Sequence, residues 1–315
     1  MNNIVLFFVS MNVYKLSAKT QPYYSIERGD YEQRTARRPP WYKTNSTGDP
    51  QYFAVCPACN NPIQIIGLYK TLANTPNPYG KHYGTSVYGV GIYDKEAYLW
   101  CPYSNNKRSD EGDRPRRPPG ILTQQILSIL VYHFDKVVWL LSKSTGVKID
   151  EKLAKSMLQQ YRREEGWLYA RATLMNIPWA FAYMSDFQAI LFKRIEKTLA
   201  KELVNRSAGR LNYSENGLVV KDATVKSHVE LGIYNTLHHS RVVDDELVET
   251  MDMVFTLRQR KEAPTEIYRQ TITFDFNHFN NLVNFGNWRP SVFNNTLLAL
   301  AKEILGDLVN LQASR

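Results

Sequence analysis

Two cysteines separated by two residues, in Cys56-Pro-Ala-Cys59-Asn-Asn, constrain this chain more than any other feature. Thiolates at that spacing can hold one ion from a single tight turn, whose backbone amides also point at the sulfurs. Four-coordinate zinc then needs two further ligands. The third cysteine, Cys101, lies in Leu99-Trp-Cys-Pro-Tyr103, again a Cys-Pro turn after apolar residues. His82, in Tyr79-Gly-Lys-His-Tyr-Gly84, is the only histidine in the first 132 residues, and its flanking glycines let the chain bring the ring inward. Cys56, Cys59, Cys101 and His82 are therefore the expected Cys3His set, with Asp94 or a histidine from the distant half as alternatives for the fourth place. Four protein ligands leave no open position for water, so the expected Zn2+ is structural and not catalytic. Two other readings exist for the pair: ordinary buried thiols, or a redox couple. The redox role wants a helix N-terminus in a βαβ context, whereas Asn60-Asn61-Pro62 and a strand-like Ile63-Gln-Ile-Ile66 follow here.

The Cys-Pro-x-Cys turn resembles the knuckle of zinc-ribbon and related zinc modules, over residues 52–104 only. A ribbon normally closes with a second two-cysteine knuckle; here Ser104 stands where the second cysteine would be.

Three cysteines are an odd and small number for a secreted disulfide scaffold. The apolar run Ile4–Val9 has no basic stretch before it and is too short to span a bilayer. Met11 follows it, so residues 1–10 read as a mis-called start, and the expected location is cytoplasmic, with no membrane partner. The net charge of +9 and pI near 9.3 favour a polyanionic partner. Residues 1–120 hold 15 lysines and arginines against 9 acidic residues, so the basic character is concentrated there.

The texture divides the chain in two. Residues 1–119 read as a zinc-binding basic and aromatic module with extended arms; they carry 13 of the 20 tyrosines and all the cysteines. Residues 120–315 read as an α+β domain, with helices over 121–204, a β-rich stretch over 211–277 and a C-terminal helix over 292–311. Apolar residues from Leu122 to Leu141 recur at three- and four-residue steps and predict one core helix. A second is expected over Lys152–Glu165 after Asp150 as cap, and a third from Pro178 to Leu199. Asn216-Gly217 between apolar segments predicts a hairpin. Strands are expected at Val229–Ile233, Met251–Arg260 and Glu266–Phe276, the last two joined through Glu262-Ala-Pro-Thr265. The fold class is thus α+β: a small zinc-stabilised N-terminal module, a helical middle, and an antiparallel sheet with a C-terminal helix.

Two basic segments suggest a partner. Arg34, Arg37, Arg38, Trp41, Tyr42 and Lys43 mix cations with aromatic faces in ten positions, the combination that grips single-stranded nucleic acid. Lys107-Arg108 and Arg114, Arg116 and Arg117 form a second, proline-flanked strip that reads as a loop or linker. A solvated charged face is the plainer account of both. No helix-turn-helix or finger array is present, so contact is expected to be non-sequence-specific, with DNA or RNA.

No motif commits the chain to catalysis. Gly80, Gly84, Gly89 and Gly91 lack phosphate-loop spacing, and neither a serine elbow nor His-Glu-x-x-His occurs. The candidate for hydrolysis is His238-His239 followed by Asp244-Asp245-Glu246, where His239, Asp244 and Asp245 could hold divalent ions against a phosphodiester, with Asp222 and Glu230 as helpers. Adjacent residues on a strand face opposite ways, which weighs against both histidines binding one ion. Asp275-Phe-Asn277-His278 reads as a satisfied histidine at a strand end. The leading expectation is a zinc-containing nucleic-acid-binding protein. The alternatives are a metal-dependent nuclease with a C-terminal His/Asp/Glu site, or a protein-interaction subunit with a basic surface, its protein partner held by the C-terminal domain.

Overall fold

In the computed structural model the described residues are 11–19, 22–70, 76–104, 112–285 and 292–310. Residues 1–10, Lys107, Arg108 and Leu311 lie outside them. The chain folds as two compact units, one formed by residues 1–118 with 173–175 and 240–248, the other by the remainder. It mixes helices with antiparallel sheets, as expected, and a long helix closes the described part.

In the first unit, β1 (Val13–Tyr14) pairs with β2 (Tyr24–Ser25) and is followed by α1 (Arg28–Thr35). A four-stranded antiparallel sheet then runs in the order β3 (Tyr42–Thr44), β4 (Pro50–Val55), β5 (Pro62–Ile66), β6 (Tyr79–His82), and α2 (Lys95–Leu99) follows. The abundance of tyrosine has its reason here. Tyr14, Tyr31, Tyr42, Tyr52 and Tyr69 form an unbroken chain of ring contacts, with successive centroids 5.4, 5.6, 5.1 and 5.0 Å apart. Such pairs each add about 0.5–1.5 kcal/mol beyond their burial. Tyr31 is fully buried, and its hydroxyl donates to the Phe53 carbonyl at 2.8 Å. The tyrosines thus flank an aliphatic core that includes Val55, Ile63, Ile65, Val87 and Val90.

The stretch 34–43, expected to be extended, begins inside a helix. Arg34 sits in the last turn of α1, and the left-handed Ala36 and Arg37 (φ 48° and 53°) end it ahead of the prolines.

The second unit starts with α3 (Ile121–Tyr132) and α4 (Phe134–Thr145). One continuous helix was the expectation; the two are bent by 83° at His133. The apolar stripe runs through the bend because α3 packs on the C-terminal helix while α4 also packs on two others, so one period serves two directions. Next come α5 (Glu151–Arg163), capped by Asp150 as expected, and α6 (Ile177–Tyr183). The helix expected over 178–199 stops at Tyr183. Residues Asp186 and Phe192 take positive φ (54° and 66°), and between them β7 (Gln188–Ala189) joins a sheet edge before α7 (Lys197–Arg206) starts from a Glu196 cap. Period-3.6 spacing across 181–199 came from three short elements that each bury one side.

The hairpin at Asn216-Gly217 connects β8 (Leu211–Tyr213) with β9 (Val219–Lys221), and Gly217 supplies the φ of 78° that the turn requires. The main sheet has the order β12 (Thr265–Thr273), β11 (Glu246–Gln259), β10 (Val229–Val243), β7, all antiparallel. The strand expected to run to Phe276 ends at Thr273, because Asp275 accepts from the His278 N–H and opens α8 (Phe276–Phe285). Asn294 caps the last helix, α9 (Asn295–Asn310), three residues inside the expected start. Among the described residues no single helix is long and apolar enough to cross a membrane.

Candidate metal centre

Strands β4 and β5 pair with Val55 opposite Pro62, so residues 56–61 form the turn between them. The Cys56 N–H donates to the Asn61 carbonyl at 2.9 Å, the Asn60 N–H returns to the Cys56 carbonyl at 3.0 Å, and Asn60 takes the left-handed conformation (φ 59°) that reverses the chain. This turn aims Cys56 and Cys59 at one point. Strand β6 pairs next to β5 with His82 opposite Ile63, just past the end of the turn, which brings the imidazole to the same place. Cys101 arrives after α2, its N–H donating to the Tyr98 carbonyl and its carbonyl accepting from the Ser104 N–H. The Cys101–Ser104 segment is therefore a half-knuckle in its backbone, with buried Ser104 where a second thiol would be.

The four ligand atoms all lie within 4.8 Å of one another. Cys56 Sγ and Cys101 Sγ are 3.7 Å apart, and Cys59 Sγ is 3.3 Å from His82 Nε2. A tetrahedral ion with metal–sulfur bonds of about 2.3 Å and metal–nitrogen bonds of about 2.05 Å gives S···S edges of about 3.8 Å and S···N edges of about 3.6 Å. These two separations lie close to that frame, and the Cys56–Cys101 distance exceeds a disulfide bond of about 2.05 Å. All three sulfurs are buried, so Cys56, Cys59, His82 and Cys101 could hold a metal ion. Asp94, the alternative ligand, is otherwise engaged: its carboxylate caps α2 by accepting from Ala97 N–H at 3.0 Å.

The buried groups of the cluster shift one another's protonation. Burial pushes the Cys56 and Cys101 thiols up, Cys101 strongly. Burial alone would also raise Cys59, but hydrogen bonds from Cys101 and Cys56 and the charge of His82 hold it well below its ordinary value. Burial would lower His82; the Cys59 and Cys56 thiolates raise it well above the usual imidazole range. Two residues that sequence reasoning missed complete the surroundings. Asn61, fully buried, donates from Nδ2 to Cys59 Sγ at 3.3 Å and to the Asp94 carbonyl at 3.0 Å, while its Oδ1 accepts from Asp94 N–H at 2.6 Å. It ties the turn to the start of α2 and fixes the sulfur's orientation. Lys15, 4% exposed, pairs through its backbone with Val55. Burial lowers its ammonium to about 8, against the opposing charges of Cys56 and Cys59. An asparagine two residues after a ligand cysteine was a visible signal; nothing in Tyr14-Lys15-Leu16 marked the lysine.

The basic and aromatic residues expected to bind nucleic acid are spread among other tasks. Arg34 pairs with Asp30 at 2.7 Å and lies 3.4 Å over the Tyr24 ring. Arg37 pairs with Glu32 at 2.5 Å. Trp41 donates to the Leu16 carbonyl at 2.8 Å and packs on the Phe53–Val90 cluster, Tyr42 belongs to the tyrosine chain, and Lys43 donates to the Tyr88 carbonyl. Arg38 and Arg116 are exposed, Arg114 half-buried and Arg117 buried.

The hydrolytic candidates do not assemble. Asp244 and Asp245 take positive φ (49° and 67°) in the tight turn between β10 and β11, where both central residues of a two-residue hairpin loop need that conformation. His239 is exposed on β10; His238, on the other face, is buried. Glu230 pairs with Arg258, and Asp222 accepts from the Thr224 N–H and hydroxyl. Among the described residues, the Cys3His set is the one group of three or more such side chains placed to hold an ion. His238 instead joins a buried network: Tyr169 Oη lies 2.9 Å from Nδ1, and Glu249, 3.4 Å from Nε2, accepts from Asn176 Nδ2 at 2.7 Å. His278 lies in the first turn of α8 with its ring edge-on to Trp139.

Compared with known proteins, the chain matches no protein-family model, no curated protein and no solved structure.

Proposed function

We propose that Cys56, Cys59, Cys101 and His82 hold one structural zinc ion, and that the unit it closes is a binding module whose partner is nucleic acid. The observation that carries the metal assignment is the convergence of three buried sulfurs and one imidazole within 4.8 Å. Soft thiolates select zinc over magnesium or calcium. Three thiolates around a divalent cation leave a net charge of about −1, and the buried Lys15 beside them supplies the balancing positive charge. Four protein donors close the coordination sphere, so the ion's work is folding.

The nucleic-acid assignment rests on the net charge of +9 and on exposed cations of the first unit, Arg38, Lys70, Lys81 and Arg116. Trp41 and Tyr42 are half-buried and packed against other side chains, so recognition proceeds mainly through phosphates at this stretch. Contact of that kind is insensitive to sequence and steeply sensitive to salt. Two measurements test the reading. Metal analysis of protein purified without chelator should give one zinc per chain, lost in Cys59→Ser. Titration of a labelled single strand and a duplex at rising salt should show affinity that falls steeply for both, and weakens in Arg38→Ala with Lys81→Ala. Zinc-free folded protein would overturn the metal assignment; absence of salt-sensitive binding would overturn the partner.

A further inference from the structure

The second unit contains a cleft that none of the preceding chemistry uses. Its volume is about 660 Å³, within the range of sites that bury small organic ligands. The floor is apolar: Val138, Ile149, Ile195, Val292 and Leu297 line it, and each is buried. Its wall on α4 is Trp139, half-buried, with Lys143 one turn on and its ammonium 5.8 Å from the indole ring. The helix ends at Gly146, whose left-handed φ of 69° turns the chain back along the opposite wall. There the Lys148 N–H donates to the Arg194 carbonyl at 2.9 Å and Val147 bridges Ile195, which places the Lys148 and Arg194 side chains on the same rim.

The charges on this rim are not self-neutralised. Two carboxylates also line the cleft, but both are turned to backbone amides. Asp135, 2% exposed, accepts from Lys136 N–H at 2.8 Å and from Asn294 N–H at 3.4 Å. Glu196 caps α7, accepting from Thr198 and Leu199 N–H at 2.9 and 3.1 Å. Among the described residues, Lys143, Lys148 and Arg194 have no ion-pair partner; all three are exposed. Some other cations of this unit do find carboxylates, Lys193 on Asp150, Arg206 on Glu202, Arg258 on Glu230 and Arg162 on Asp307, so what marks the three rim cations is that they line one cleft. Three unpaired cations around an indole and an apolar floor form the complement of a planar aromatic group that carries an anion.

We propose that this cleft binds a nucleoside monophosphate unit, with its base against Trp139 and its phosphate held by Lys143, Lys148 and Arg194. The same unit occurs as a free nucleotide and as the terminal residue of a 5′-phosphorylated single strand. The site shares no residue with the metal centre and requires no metal.

Calorimetric titration of the full chain with AMP, adenosine, ribose 5-phosphate and a 5′-phosphorylated oligonucleotide tests it. AMP should bind, and adenosine and ribose 5-phosphate each at least about tenfold more weakly, since base and phosphate both contribute. The double variant Lys148→Gln, Arg194→Gln changes only exposed side chains and should weaken AMP by about tenfold or more while leaving the thermal melt unchanged. Trp139→Phe should retain part of the affinity that Trp139→Ala loses. Tighter binding of the oligonucleotide than of AMP assigns the site to strand ends, the reverse to free nucleotide; either supports the proposal. Binding of AMP that is absent at millimolar concentration, equal to that of adenosine or of ribose 5-phosphate, or unchanged in the double variant overturns it.

Discussion

Removing the metal should destabilise the first unit's sheet and leave the second unit's stability unchanged. The sulfur–sulfur distance of 3.7 Å and sulfur–nitrogen distance of 3.3 Å lie a few tenths of an ångström from an ideal tetrahedral frame, and all four ligand atoms fall within 4.8 Å, so an ion would draw the set together by about 1 Å at most. Structural zinc sites bind with apparent free energies of about 10–16 kcal/mol. At a buffered free zinc of about 1 nM, a site at the tight end is saturated several-hundredfold, which by linkage stabilises the fold by about 4 kcal/mol. For a unit of this size each kcal/mol moves the melting temperature by about 4 °C or more, so chelation should lower one transition by roughly 15 °C. Without the ion, the knuckle also leaves three buried sulfurs and an imidazole with little but one another for partners. The assay is differential scanning calorimetry of the full chain in zinc buffer and in chelator, with hydrogen exchange to locate the loss. Protection should fall in β4, β5 and β6 and persist in α4, α5 and β11. Cys59→Ser should melt at the chelated temperature in either buffer. A melt that ignores chelator, together with unchanged protection at 54–66, would refute the assignment of a structural ion.

Three further outcomes are expected. Glu249→Ala removes one of two acceptors of Asn176 Nδ2, the other being the Arg171 carbonyl, and the carboxylate beside His238; loss of these buried contacts should cost about 1–3 kcal/mol in urea unfolding, against far less for exposed Glu266→Ala. Gly166→Ala drives a Cβ into the buried Tyr161 ring and should cost about 1–3 kcal/mol of overpacking, relieved when combined with Tyr161→Leu. His133 is the pH-sensitive group of the α3–α4 bend. Burial, and then the Lys136 ammonium 3.3 Å from Nδ1, lower it from about 6.5 to about 4. Its neutral form is the folded one, so the unfolded chain takes up a proton first. The stability it contributes is complete above about 6.5 and is lost as pH falls from there toward 4. The half-buried ring sets the loss at about 1–2 kcal/mol, and His133→Gln should flatten the melting temperature across that window.

The convergence of Cys56, Cys59, His82 and Cys101 was legible from the sequence because much of its information is local. A Cys-x-x-Cys turn between two strands dictates where two ligands point, and the register of antiparallel neighbours fixes His82 beside them. The Asn216-Gly217 hairpin, the Asp150 cap and the α9 stripe were legible for the same reason: each is decided within a few residues by backbone conformation or a single period. Where packing partners decide, the sequence was silent. The stripe from Leu122 to Leu141 is continuous, yet the helix bends by 83°, because a hydrophobic period records that a face is buried and not against what. Likewise Phe181 to Leu199 satisfies a helical period while serving a helix, an edge strand and a second helix. The environments of the Arg34–Lys43 run were equally hidden: Trp41 and Tyr42 are half-buried against other aromatic and apolar side chains, and two of the arginines have carboxylate partners. The cleft between α4 and the Lys148–Arg194 rim could only emerge from the fold, since Arg194 and the Val292–Leu297 segment reach Trp139 from far along the chain. Spacing along the chain determines ligand turns and caps, and side-chain environments belong to the packing that joins distant segments.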